Sequence, residues 1–355
     1  MKAGKTLQEL ATEIYRQNNA KKDYIANTSN MQMIVADGGN KNQGFPVLNL
    51  HGLPNFGIND IAHDQISIKL SIPSKYYNRM LTDEPELLAT NVNHWFHRQP
   101  ENRMIRTLDG TARAFLSNRY RRIDNYAIAE AVLPIIADMH GATVESCEIT
   151  EKRMYLKILN PRIETEIVPG DIVQSGLLIS NSEIGLGAVS IMPLVYRLVC
   201  KNGMIAEDSG QKKFHIGRTN ECDDNYELFR SETIETDDKA FIMKLQDIVH
   251  STADKKQFER IVSKMRDATE AKITSTNVPS VVELTAKTYG FQDSESKSIL
   301  DHLIRGEELS LYGLANAVTK HAQDVDSYDR STELEATAWN ILTMPHREWQ
   351  RLNAA

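Results

Sequence analysis

The segment Thr143-Val-Glu-Ser-Cys-Glu-Ile-Thr-Glu-Lys-Arg-Met-Tyr-Leu-Lys-Ile-Leu159 decides the fold class that this sequence predicts. Met154, Leu156 and Ile158 fall at alternating positions directly after a charged Glu151-Lys152-Arg153 turn. Alternation with a period of two is typical of strands, and two such runs around a short polar turn indicate a hairpin. The centre of the chain therefore predicts an antiparallel sheet.

More strands are predicted downstream of this hairpin. Ile172–Ser180 and Ala188–Val199 are both rich in β-forming residues. Asn202-Gly203 is a residue pair preferred in tight type I′ turns, so Val195–Ala206 predicts a second hairpin that turns at this pair.

The residues before residue 143 predict a mixture of strands and helices. The alternation across residues 66–72 predicts a strand with one wet face, and Thr111–Leu116 predicts another. Leu87–Phe96 has helical spacing. Asp124 is predicted to cap a helix whose apolar side ends near Gly141.

Both ends of the chain predict helices. Thr6 with Glu9 has capping-box spacing ahead of an amphipathic run, and Thr332 with Glu335 repeats it near the C-terminus. The turn-rich stretch Asp37–Gly44 predicts a mobile loop. The predicted fold is α+β, an antiparallel sheet with hairpins and packed helices followed by a helical C-terminal domain. The predicted units are residues 1–59 (helix and mobile loop), 60–220 (α+β sheet domain) and 221–355 (helical domain).

Composition places the protein among ordinary globular chains. It has 355 residues, of which 41% are hydrophobic and 25% charged. Its three cysteines include no CxxC pair, which argues against a disulfide framework and favours a reducing compartment. Because no run of 18 apolar residues occurs, we expect no membrane span and a cytoplasmic location.

Motifs for catalysis are missing from the sequence. There is no GxSxG and no HExxH. Gly4-Lys5-Thr6 resembles the end of a phosphate-binding loop but lacks the upstream glycine and strand. His94 and His97 are two imidazoles where zinc needs three or four ligands. We therefore predict no enzyme activity, no catalytic residue, no cofactor and no metal.

Charge is distributed unevenly along the chain, whose net charge is −7. Residues 97–123 contain seven arginines against Glu101 and Asp109, and residues 221–238 contain eight acidic residues against Arg230. In residues 113–122 four arginines alternate with Phe115 and Tyr120. Guanidinium groups neutralise phosphates and aromatic rings stack on bases, so this segment predicts a nucleic-acid site.

The predicted DNA-binding residues combine this segment with later cations that would extend the groove. They are Arg113, Arg119, Tyr120, Arg121, Arg122, Lys201, Lys212, Lys213 and Arg218. The alternative is that Phe115 belongs to the core and that the arginines pair with the acidic stretch at residues 221–238, because charge runs are usually solvated or internally paired faces.

Four stretches carry a resemblance to a known family: residues 113–125, 180–189, 196–204 and 311–323. On these stretches the chain resembles the phage- and plasmid-borne domain-of-unknown-function family 932. The resemblance implies a cytosolic protein of a mobile genetic element. The predicted sheet-and-hairpin layout is also similar to that of RecT- and Erf-type single-strand annealing proteins, which implies oligomers that hold DNA in a basic groove.

The leading functional hypothesis is therefore a homo-oligomeric protein that binds or anneals single-stranded DNA in recombination or replication. The alternative is a non-enzymatic protein-interaction module that modulates a host system, with its arginines in an interface or in internal salt bridges. An enzyme would require a pocket in which carboxylates such as Glu183 converge.

Overall fold

The computed structural model describes residues 1–37, 44–207, 211–213, 231–250, 255–274 and 277–354. The fold is α+β, as predicted, with two largely antiparallel sheets and a helical C-terminal region. The predicted mobile loop Asp37–Gly44 lies outside the described residues apart from its two ends, and Arg218 also lies outside them.

The first sheet has six strands in the order β1-β5-β6-β4-β3-β2, and its only parallel pair among the described strands is β4 with β6. Four of these strands precede residue 59, where the sequence predicted only a helix and a loop. The strands are β1 (Lys22–Asn27), β2 (Met31–Ala36), β3 (Phe45–Leu50), β4 (Phe56–Ile58), β5 (Asn102–Leu108) and β6 (Thr111–Ser117).

Three helices cover one face of the first sheet, namely α2 (Asp60–Lys69), α3 (Ser74–Asp83) and α4 (Pro85–Arg98). The helix predicted over Leu87–Phe96 is confirmed. The strand predicted over residues 66–72 is wrong, because Asn59 caps a helix by accepting a hydrogen bond from the Ala62 amide. Alternation occurs there by chance: Ile66 is buried, whereas Ile68 is 73% exposed.

The second sheet has the order β11-β10-β9-β8-β7, and β12 pairs with the start of β10. The predicted hairpin at residues 143–159 is confirmed. The hairpin at residues 195–206 is also confirmed, but its turn is Leu198–Lys201, and Asn202 already pairs with Arg197. The strands are β7 (Thr143–Ile149), β8 (Met154–Glu166), β9 (Ile172–Asn181), β10 (Val189–Arg197), β11 (Asn202–Ile205) and β12 (Gln211–Lys213).

Both faces of the second sheet are covered. Leu156 and Ile158 pack under α1 (Leu7–Ala20), α5 (Asn125–Asp138) and α6 (Ser231–His250). Tyr155 and Leu159 face the opposite side and meet Tyr328. The predicted capping box at Thr6 is confirmed at the start of α1.

The remaining helices form the largest core of the described chain, centred on Trp339, which also takes Val173 and Val195 from the second sheet. They are α7 (Lys255–Glu270), α8 (Val278–Tyr289), α9 (Asp293–Arg305), α10 (Leu311–His321), α11 (Tyr328–Leu342) and α12 (His346–Asn353). Helix α11 begins after Ser327, so the predicted cap at Thr332 is wrong. Glu335 instead forms a buried ion pair with Lys157, at 2.6 Å. The predicted boundaries at residues 59/60 and 220/221 remain predictions.

Candidate functional site

The arginine segment, residues 113–122, lies where the two sheets meet. It begins in β6, passes through a turn at Ser117–Tyr120 and leads to α5. Arg113 donates to the Glu183 carboxylate at 2.5 Å, and the Tyr120 hydroxyl donates to the Ser182 carbonyl at 3.1 Å. Because Glu183 and Ser182 follow β9, these bonds tie the first sheet to the second.

Arg106 in β5 is the centre of this junction, and its side chain is fully buried. Its Nε donates to Asp23 at 2.8 Å, one Nη to Asp124 at 2.7 Å, and the other Nη to the Glu183 carbonyl at 2.8 Å. All three guanidinium nitrogens therefore have an oxygen partner, which is what a buried charge requires.

Glu183, which is also buried, performs the capping role that the sequence assigned to Asp124. One carboxylate oxygen accepts from the Asn125 amide at 2.7 Å, at the first turn of α5. Asp124 does occupy the N-cap position, but its side chain makes no capping bond. Its carboxylate is held by Arg106 and by Lys21, at 2.7 and 2.8 Å.

The pKa values of this cluster follow from burial and opposite charge. Burial acts to raise the pKa of Asp124, but the charge of Arg106 and the bonds from Lys21 and Arg106 outweigh it and lower the pKa to about 2. Burial acts to lower the pKa of Arg106, but Asp124, Asp23 and Glu183 raise it above the ordinary arginine value. Burial also raises the pKa of Tyr120. Asp124 and Arg106 are therefore both charged at neutral pH.

Two other arginines of the segment, Arg121 and Arg122, also contact the chain's own carboxylates. Arg121 pairs with Asp238 at 2.7 Å and Asp237 at 3.2 Å, both on α6, and only 13% of its side chain is exposed. Arg122 contacts Asp23 at 3.3 Å and is 54% exposed. The backbone amide of Arg119 donates to the Ser117 hydroxyl.

The remaining predicted DNA-binding residues do not all lie near this segment. Lys212 and Lys213 in β12 pair with Ser190 and Val189 at the start of β10, whereas Lys201 lies in the turn after its end. A strand rises about 3.3 Å per residue, so the two ends of β10 are roughly 25 Å apart. Lys201 and the two β12 lysines therefore lie too far apart to line the one groove that the sequence had predicted.

The geometry supports an inter-sheet ionic network, defined here as Lys21, Asp23, Arg106, Arg113, Asp124 and Glu183. Three basic groups meet three carboxylates, so their charges cancel and little field remains for a polyanion. Arg106 is one of the seven arginines in residues 97–123 and nothing local distinguishes it, and no local pattern points to Lys21 or Asp23. No spacing links Asp23 to Arg106, because the pair forms only through the cross-strand register of β1 and β5.

A second candidate surface lies on the helices over the first sheet. Helices α3 and α4 form a hairpin whose outer side exposes Tyr76, Leu87 and Trp95, with exposed fractions of 47%, 44% and 37%. Ile68 at the end of α2 adds a further exposed apolar side chain. Between the helices, Asn91 donates to the Met80 sulfur. We call the outer side of α3 and α4 the hairpin surface.

The family comparison matches the C-terminal two thirds of the chain, which contains Asp124 and Glu183 but not the other four residues of this network. The model described as "Domain of unknown function (DUF932)" matches residues 114–349, about two thirds of the chain. The chain therefore belongs to this family of uncharacterised domains. No curated protein and no solved structure matches it. None of the described helices is long and apolar enough to cross a bilayer.

Proposed function

We propose that this chain is a non-enzymatic protein-interaction module that binds its partner through the hairpin surface. The observation that carries the proposal is the exposure of three large apolar side chains, Tyr76, Leu87 and Trp95, on one pair of helices. Aromatic side chains are favoured anchors of protein interfaces, and contiguous exposed apolar side chains are costly to a protein without a partner.

The internal pairing of the arginines also supports this proposal, because it weakens the case for a nucleic-acid site. Arg113 and Arg121 were the strongest sequence evidence for a nucleic-acid site, and both guanidinium groups pair with the chain's own carboxylates. Opening these pairs for a phosphate would leave Glu183 buried without its partner, which costs several kcal/mol. In this proposal the arginine segment is structural, as the alternative interpretation of the sequence had it.

Single-stranded DNA binding or annealing is the second candidate. The observation in its favour is Arg122, which is more than half exposed and makes one acid contact at 3.3 Å. Three further proposals rest on the sequence resemblance alone. They are a mobile-element origin, a host system as the target, and a likeness to RecT- and Erf-type proteins.

The double variant Arg121→Ala/Arg122→Ala separates the two candidates. If the arginines are structural, the variant unfolds at lower urea concentration, while the anisotropy of a labelled single-stranded oligonucleotide titrated with it matches the wild-type curve. Unchanged stability with a weaker, less salt-dependent affinity would favour DNA binding, because each lost phosphate contact lowers the salt dependence.

The interaction itself is tested by a photo-crosslinking amino acid at Leu87 in the cell that produces the protein. We expect adducts from this position and none from Lys152, an exposed control residue in the β7–β8 turn. Absence of any adduct at Leu87 would contradict the proposed function.

A further inference from the structure

The charges on the hairpin surface are separated along its length. Helices α3 and α4 run in opposite directions and meet at the turn around Glu84. The turn end carries Asp83, Glu84 and Glu86, and the open end carries Lys75 and Arg98, with His94 and His97 nearby. Leu87 lies next to the acidic end, and Tyr76 and Trp95 lie towards the basic end.

Most of these charges are available to a partner. Lys75, Arg98, Glu84 and Glu86 form no ion pair with any residue that the structure describes, and Asp83 contacts only the exposed Arg79, at 3.8 Å. This contrasts with the ionic network, in which each charge meets an opposite one at close range. The hairpin surface therefore presents two ends of opposite net charge, the acidic one still negative with Arg79 included.

We infer that the partner of the hairpin surface is a second copy of this chain, docked antiparallel across a two-fold axis. This inference rests on the proposed function. A two-fold axis brings the same surface of each copy together, so the acidic end of one copy faces the basic end of the other. Leu87 of each copy then faces Tyr76 and Trp95 of the other copy.

The distribution of charge favours a second copy over a polyanion or a uniformly charged protein. A polyanion would be attracted by Lys75 and Arg98 but repelled by the three acids about two to three helical turns away, since an α-helix rises 1.5 Å per residue. A surface with both signs at its two ends is complementary to itself when reversed. A second copy therefore supplies all the opposite charges that this surface needs.

The size of the surface sets the expected strength. Helices of 10 and 14 residues are about 15 and 21 Å long, and two helices side by side are about 20 Å wide. An interface on this scale belongs to the small, reversible class rather than to obligate dimers. We expect dissociation in the micromolar range and weakening by salt, because exposed charges are screened.

Charge exchange between two variants of the full chain tests the inference. Asp83→Lys/Glu86→Lys makes both ends basic, and Lys75→Glu/Arg98→Glu makes both ends acidic. Each variant places one new charge favourably and one unfavourably relative to a helix dipole. The two effects on the free energy of unfolding are therefore expected to cancel. By sedimentation velocity, the wild type should dimerise, and each variant alone should dissociate at least about tenfold more readily.

The decisive arm is the equimolar mixture of the two variants. Because an all-basic surface complements an all-acidic one, the mixture should recover the dimer, which a misfolded variant could not do. Lys152→Glu is the matched control and should dimerise like the wild type. A wild type that is monomeric at about 100 µM, variants that dimerise unchanged, or a mixture that stays monomeric would each overturn the inference.

Failure of this inference can be told from failure of the proposed function. Crosslinks from Leu87 to a different protein, combined with a monomeric wild type, would overturn the second-copy assignment and leave the interaction module standing. Absence of crosslinks from Leu87 to any protein, with a monomeric wild type, would overturn both.

Discussion

The arginine segment and the hairpin surface both carry charge and aromatic rings, but their surroundings differ. Around Arg113 and Arg121, carboxylates from the loop after β9 and from α6 supply partners within 3.2 Å. On α3 and α4 the charges and the rings of Tyr76 and Trp95 remain exposed. A cluster of arginines therefore indicates a binding site only where the chain's own carboxylates do not already pair with it.

The largest effect that tests this comparison is expected from Arg106→Ala. Removing the guanidinium leaves Asp23 and Asp124 without their common partner at the sheet junction, and breaking a buried ion pair from one side costs about 3–5 kcal/mol. The free energy of unfolding measured in urea gives this loss.

The matched control is Arg79→Ala, which removes an arginine from an exposed acid contact and should change stability by no more than about 0.5 kcal/mol. Should Arg106→Ala fail to fold, Arg106→Lys keeps the charge and should show a smaller loss. Equal, small losses at Arg106 and Arg79 would end the contrast between the two regions.

The second effect is acid sensitivity of the sheet junction. The folded pKa of Asp124, about 2, lies below its ordinary value of 3.8, so the unfolded state binds a proton first as pH falls. The stabilisation by Asp124 is fully present above about pH 5 and is lost between about pH 4 and pH 2. Unfolding in urea across this range should show a steeper acid loss for the wild type than for Asp124→Asn, and parallel curves would contradict it.

An intermediate effect is expected from Glu183→Gln. The amide oxygen can still accept from the Asn125 amide, but the charge that partners Arg113 is lost. Hydrogen bonds to charged groups contribute about 1.5–3 kcal/mol, and we expect a loss of that order in the free energy of unfolding. Restoration by Arg113→Met in the same chain would identify the unpaired guanidinium as the cause, whereas additive losses would contradict it.

The smallest effect is expected at the exposed end of the arginine segment. Arg122→Ala removes one contact of a side chain that is 54% exposed, so unfolding should change by less than about 1 kcal/mol. A loss as large as that of Glu183→Gln would extend the ionic network to Arg122 and leave the DNA hypothesis without its best candidate.

The local pattern predicted much of the second sheet but little of what holds it to the first. The 143–159 hairpin could be predicted because alternation and turn chemistry are local. Asp124 was placed correctly at a helix start, yet its carboxylate goes to Arg106, since a long-range ion pair outweighs a local capping bond. The position of Asp23 opposite Arg106 depends on strand order, which no local signal gives.

The short range of sequence patterns also explains the two wrong predictions of local structure. Residues 66–72 alternate like a strand, but the cap at Asn59 lies upstream of that window, and helix formation there buries Ile66 against the first sheet. The turn lies at Leu198–Lys201, ahead of the predicted turn pair Asn202-Gly203, and Lys201 closes it with a positive φ of 52°. In each case the pattern was read correctly but a neighbouring residue decided the geometry.

The most direct test of the central claim is NMR observation of the arginine Nε–H groups, assigned by Arg106→Lys and Arg113→Lys. We expect the signals of Arg106 and Arg113 to be protected from solvent exchange at neutral pH and not to move when a single-stranded oligonucleotide is added. Rapid exchange with water, together with shifts on adding the oligonucleotide, would contradict it, because those guanidinium groups would then face solvent and a polyanion rather than Asp23 and Glu183.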